Sequence, residues 1–172
     1  ILFARGELAE ALRIRTEEEL PIYTRLGDVR SIAVTQGQIA DILFRQGKPE
    51  EAMALQQERL EAHTKLRDPD GIASTLWAMA QMELSQGKLQ EAADKIPVAY
   101  ALVDKLGRLE GIAAIGVVHG QFLVRAKRRE EGLEVLQRSV AGFRKLGQED
   151  AATQVEAIIQ QVLALPEEDN QA

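Results

Sequence analysis

The sequence predicts an all-α protein, an α-solenoid of antiparallel helix pairs finished by a C-terminal capping helix. Three observations carry that expectation. Residues 31–70 and 71–110 agree at eleven positions, where unrelated chains of ordinary composition would agree at about two or three. Residues 111–150 agree with 71–110 at nine positions, so the forty-residue period persists. Within each block the apolar residues recur at helical spacing, and a short breaker divides them into two runs. Ile32, Ile72 and Ile112 stand in register, followed by Ala33, Ala73 and Ala113, and Leu66, Leu106 and Leu146 close the blocks. A fixed period of this size belongs to arrays in which each unit buries its apolar face against its neighbours.

The elements follow in order along one array, residues 1–165. Ile1 through Ala11 overlays Ile42 through Ala52, so residues 1–30 read as a partial repeat that begins inside the end of a first helix. Its second helix runs to Leu26, one residue longer than its counterparts and with Pro21 inside it. A kink or local break is expected near Pro21 and another at Pro97, because proline removes a helical hydrogen bond. Three full repeats follow, 31–70, 71–110 and 111–150. In the second, Ile72, Leu76, Met79, Ala80 and Leu84 form one apolar stripe, and Gln86-Gly87-Lys88 interrupts it. Leu89, Ala92, Ala93, Ile96, Ala99, Leu102, Val103 and Leu106 form the next.

Gly47 and Gly87 supply the residue that stops a first helix and permits the reversal. Pro49 opens a second helix, where its missing N–H is harmless. Polar links join the blocks, and Asp70, Glu110 and Asp150 are expected just ahead of first helices, capping them or complementing their dipoles. Residues 151–165 read as a capping helix with no successor. Gln160 occupies the register of Ala40, Ala80 and Gly120, where a bulky amide would hold a paired helix away. Pro166 ends that helix, and 166–172 is a polar tail, so the C-terminus reads as a natural end and the N-terminus as a truncation.

Composition excludes several functions. The 172 residues are 45% hydrophobic and 28% charged, the balance of an ordered protein and not of a disordered one. A net charge of −6 disfavours nucleic acid as partner, since phosphate binding needs a basic stripe. The basic run Lys127-Arg128-Arg129 leads straight into Glu130-Glu131 and reads as a solvated turn. No apolar run approaches the roughly 20 residues of a membrane span. There is no cysteine, so neither disulfide nor thiol chemistry is available, which fits a cytoplasmic setting.

Catalytic and metal-binding constellations are also missing from the sequence. His63 and His119 fall in different repeats, and with no cysteine neither a metal site nor a cofactor is expected. His119 shares the register of Ile39 and Met79 and reads as a satisfied core histidine. Glu17-Glu18-Glu19 and Glu50-Glu51 are successive residues, so they diverge around a helix instead of forming an acid–base pair. Gly111 through Gly116 is a packing or hinge feature; no strand precedes it to make a phosphate loop. An enzyme is therefore not expected.

The small residues Ala40, Ala80 and Gly120 in the first helices, the turn residues Gly47 and Gly87, the small residues Ala52, Ala92 and Gly132 in the second helices, and the closing Leu-Gly pairs at 26–27, 106–107 and 146–147 together resemble the tetratricopeptide repeat. The resemblance is to the longer variant of about forty residues, similar to that of kinesin light chains and many bacterial signalling proteins. Leu43, Glu83 and Leu123 stand where an aromatic is common, and Lys127 replaces the turn glycine of the last full repeat.

The resemblance implies a right-handed superhelix whose first helices line a concave groove. Carried over, groove positions fall on Val34, Gly37, Asp41, Phe44 and Arg45; on Ser74, Trp77, Gln81, Leu84 and Ser85; and on Ala114, Val117, Gln121, Val124 and Arg125, with Phe3 extending the Phe44 column. Asp41, Gln81 and Gln121 replace the basic and amide residues of chaperone-binding members, so a two-carboxylate clamp is not expected. The groove reads as apolar and amide-lined, fit for a protein or peptide ligand whose backbone the glutamines can hydrogen-bond. Trp77, the only tryptophan, is either an interface anchor or a core residue between first helices. Two rival functions stand beside a protein-interaction scaffold. One is homodimerisation through the ends, at residues 1–26 or the Ile158, Ile159 and Val162 side of the last helix. The other is a sensor role within a larger signalling protein.

Overall fold

The computed structural model describes residues 7–166, and these contain helices and no strand. Turns recur every twenty residues, twice per sequence period. At Gly27, Gly47, Gly87, Gly107 and Gly147 the backbone enters the left-handed region, with φ between +65° and +76°. Arg67 and Lys127 adopt the same conformation at φ 51° and 62° without being glycine. Each turn closes in one way. Gly47 N–H donates to the Phe44 carbonyl and Lys48 N–H to the Leu43 carbonyl, both at 3.0 Å, and Lys127 and Arg128 repeat the pair with Val124 and Leu123. This 6→1 and 5→2 pairing satisfies the last carbonyls of each helix and reverses the chain.

The chain divides between Lys95 and Ile96 into two compact units. The first holds α1 (Leu8–Arg13), a π-helical stretch (Ile14–Glu19), α2 (Leu20–Leu26), α3 (Val29–Arg45), α4 (Pro49–Lys65), α5 (Pro69–Ser85) and the start of α6 (Leu89–Lys105). The π-helical stretch is the local break expected near Pro21. A π turn absorbs one additional residue, which is the excess counted in the sequence, and Pro21 has no N–H to return to Glu17. Ala40 on α3 and Ala52 on α4 are both fully buried, in one cluster with Ile39, Leu43 and Met82. Glu83 departs from this apolar pattern. It is buried on α5, and Lys95 Nζ donates to its Oε1 at 2.6 Å. The two changed together, because the same registers hold Leu43 with Leu55 and Leu123 with Val135.

The second unit holds the rest of α6, α7 (Leu109–Arg125), α8 (Arg129–Lys145) and α9 (Glu149–Ala164). Glycine replaces alanine at the α7–α8 crossing. A Cβ at Gly120 would sit 2.9 Å from the Gly132 carbonyl oxygen, and one at Gly132 would sit 2.7 Å from the Gly120 oxygen. Leu136 and Val140 of α8 form the core with Ala152, Val155, Ile159 and Val162 of α9.

Three expectations are corrected by the structure. Helix α6 runs through Pro97 without interruption. Ile159 and Val162 are buried against α8 and Ile158 packs on the same cluster, so they are not a free end face; the exposed apolar residues of this region are Leu163 and Leu165. The basic run at 127–129 is the solvated turn expected, with Lys127 and Arg128 exposed, and it adds surface contacts. Arg128 pairs with Glu131, and Arg129 donates to the carbonyls of Leu163 and Leu165 at 2.9 and 3.1 Å, capping α9. Asp70, Glu110 and Asp150 lie inside the first turns, where they complement the helix dipole; the side-chain caps are Asp28 and Asp68. Gln160 is exposed on α9, and Phe3 lies outside the described residues.

Candidate functional site

In the first unit, α3 carries Val34, Gly37, Asp41, Phe44 and Arg45 at spacings of three and four, hence along one face. Asp41 and Arg45 are exposed, while Phe44 is half-buried on the Ile39, Ala40, Leu43 cluster. On α5, Ser74 and Gln81 are exposed and Trp77 and Leu84 are half-buried. Trp77 therefore keeps part of its ring in solvent and part in packing.

Sequence reasoning missed the residues that α4 contributes to this face. Gln56 is fully buried, and Arg59 extends beneath α3. Its guanidinium fits there because Gly37 has no side chain: a Cβ at residue 37 would lie 3.0 Å from Arg59 Nη1. The direct partners of the guanidinium are neutral. Nη1 donates to Gln56 Oε1 at 3.3 Å and Nη2 to Ser74 Oγ at 3.1 Å. Arg59 Nε and Gln56 Nε2 are buried with no hydrogen-bond partner. Burial pulls the Arg59 pKa down against the opposing pull of Asp41 and Asp68. Crowding by the surrounding helices raises the Asp41 carboxyl, while Arg59 and Arg45 act to lower it.

A third polar group lies further along α4. His63 is buried, and its Nδ1 lies 3.0 Å from Asp68 Oδ2. Asp68 Oδ1 in turn accepts the Gly71 N–H at 3.1 Å and caps α5. A Cβ at Gly71 would lie 1.9 Å from His63 Nδ1, so the imidazole occupies the space that glycine leaves. His63 is thus a buttress for a helix cap.

In the second unit, Val117, Gln121 and Val124 are half-buried on α7 and Arg125 is exposed. Val117 and Val124 pack against the Leu136 cluster. His119 is a core residue as expected, but not a satisfied one. Its ring lies 5.0 Å from that of Tyr100, and both its Nδ1 and the Tyr100 hydroxyl are buried without a partner. Burial lowers the His119 pKa, as does Arg128, against Glu131. Gly111 and Gly116 are packing glycines, against Val103 and against Ser139 with Tyr100.

Among the described residues, no group of three or more histidines and carboxylates is placed to hold a metal ion, and no helix is long and apolar enough to cross a membrane. What the first unit offers is a face of apolar and amide groups with an arginine set into it. Residues 31–101 match the family model described as tetratricopeptide repeat, a span covering α3, α4, α5 and most of α6. No curated protein matches the chain.

Proposed function

We propose that the α3–α5 face of the first unit, which lies within the span matching the tetratricopeptide-repeat model, binds a protein partner as an extended or helical peptide. Repeats of this family are protein-interaction scaffolds and are not catalytic. The observation that carries the proposal is the pairing, on one face, of half-buried Phe44, Trp77 and Leu84 with exposed Asp41, Arg45 and Gln81. Partly covered aromatic and aliphatic groups bury further area when a partner docks, and truncating such an anchor commonly costs about 2 kcal/mol or more of binding. Amides and charges beside them orient the peptide backbone. The α7 residues Val117, Gln121, Val124 and Arg125 offer a surface of the same kind in the second unit, with less apolar area available. The net charge of −6 supports protein over nucleic acid as the partner, and the absence of cysteine is compatible with action in the cytoplasm. Capture of a defined partner by the full chain tests the reading. Trp77→Ala should weaken capture at least about tenfold and Gln81→Ala less, by loss of contact area and of a backbone hydrogen bond. Unchanged capture by both variants places the site elsewhere.

A further inference from the structure

We propose that Arg59, emerging beside Gly37 and Ser74, is a receptor for a single carboxylate carried by the partner. The inference rests on the α3–α5 reading and adds the ligand chemistry. In the other two registers of the repeat, residue 37 becomes Trp77 and Val117, and residue 59 becomes Ala99 and Ser139. The volume has moved from the first helix to the second. If only space needed filling, an aliphatic chain would fill it without burying a charge, and burying a charge with neutral partners is costly.

The guanidinium here hydrogen-bonds the neutral Gln56 Oε1 and Ser74 Oγ, and the Asp41 and Asp68 charges act on it without a hydrogen bond among the described residues. Its planar fork suits the two oxygens of a carboxylate. Around it the amide of Gln56, fully buried and with Nε2 unpartnered, completes a donor-rich lining. Ser74 adds a hydroxyl at the exposed rim, and it already donates to the Gly71 carbonyl at 3.0 Å, so its oxygen is oriented toward Nη2. Phe44, two turns along α3 from Gly37, and Trp77, one turn along α5 from Ser74, would receive the apolar neighbours of the incoming acidic residue.

Sodium acetate is a sufficient probe. In the full chain, acetate should produce saturable shifts of the Gly37 and Ser74 amide signals that sodium chloride at equal ionic strength does not reproduce. Arg59→Gln should abolish them, and Arg59→Lys, which keeps the charge and loses the fork, should weaken them several-fold. Gly37→Ala, whose Cβ would press on the guanidinium, should reduce them with the charge unaltered. Shifts that chloride reproduces, or that persist in Arg59→Gln, overturn the assignment and leave Arg59 a space-filling residue. Trp77→Ala lies outside the carboxylate contact and should leave the acetate shifts in place. Loss of the acetate response with Trp77-dependent partner capture intact therefore removes only the carboxylate receptor. Trp77-independent capture removes the α3–α5 reading itself.

Discussion

The α3–α4 and α7–α8 hairpins stand eighty residues apart in the same register, and they use that register in opposite ways. At the crossing, Ala40 meets Ala52 in the first, where Gly120 meets Gly132 in the second. Along the second helix, α4 places Gln56, Arg59 and His63 where α8 places Leu136, Ser139 and Phe143. The α8 hairpin is thus closer in approach and more apolar within. The α4 hairpin keeps three buried side chains with an unpartnered atom, Gln56 Nε2, Arg59 Nε and His63 Nε2, against one, His119 Nδ1, in the α7–α8 hairpin. Buried unsatisfied polar groups cost free energy, so their larger number in the α4 hairpin marks the place where stability yields to another requirement. We assign that requirement to recognition at the α3–α5 face.

The comparison can be broken most severely by writing the α4 residue into α8. Leu136→Gln buries an amide with no partner and removes a fully buried leucine, and should cost about 3–5 kcal/mol in denaturant unfolding. Next comes Gly132→Ala. Its Cβ would meet the Gly120 carbonyl and Val124 Cγ2 at 2.7 and 2.6 Å. The overpacking cost of about 1–3 kcal/mol exceeds the gain of up to about 1 kcal/mol from replacing glycine in a helix, so hydrogen exchange in α7 and α8 should accelerate.

The converse exchange, Gln56→Leu, sharpens the comparison. Removing the unpartnered Nε2 outweighs loss of the long 3.3 Å contact from Arg59 Nη1, so the exchange should stabilise the first unit by up to about 1 kcal/mol and weaken the acetate response. A smaller effect lies in the turns. Lys127 holds a left-handed conformation that glycine adopts freely at Gly47, so Lys127→Gly should raise stability by up to about 1 kcal/mol. The smallest is a pH effect at His119. Its pKa is lowered in the folded state, so the unfolded chain binds a proton that the folded chain refuses. Stability should therefore fall as pH drops below the ordinary histidine value of about 6.5, and His119→Met, the residue at Met79, should remove that slope.

Most of the fold is legible in the sequence because its signals are local. Glycine at 47 and 87, proline at 49 and the apolar stripes each act within one turn or one helix, and helix geometry converts them directly into structure. The extra residue ahead of Pro21 is equally local and becomes a π turn. Pro97 is less legible, because a proline near the middle of a helix breaks it only if packing does not hold the flanking turns. Sequence pattern alone sets a helix start two residues late at Asp70, since Asp68 competes as cap through its contact with Gly71 N–H. The site is half legible. Its α3 and α5 residues follow from register, while Arg59 reads as one more charged residue on a solvated second helix. The available signal is the paired exchange of volume, Gly37 and Arg59 against Trp77 and Ala99, which only a comparison across two helices reveals. Ile159 shows the same limit: burial depends on the neighbouring helix, which a single stripe does not report.

Which face of the first unit meets the partner is the central question. Photo-crosslinking amino acids placed singly at Asp41, Trp77 and Gln81, and at the exposed α4 positions Gln57 and Glu61, answer it with the full chain and its captured partner. Adducts to one partner at 41, 77 and 81, with none at 57 and 61, are the predicted result. Adducts at 57 and 61 with none at the α3–α5 positions would contradict it.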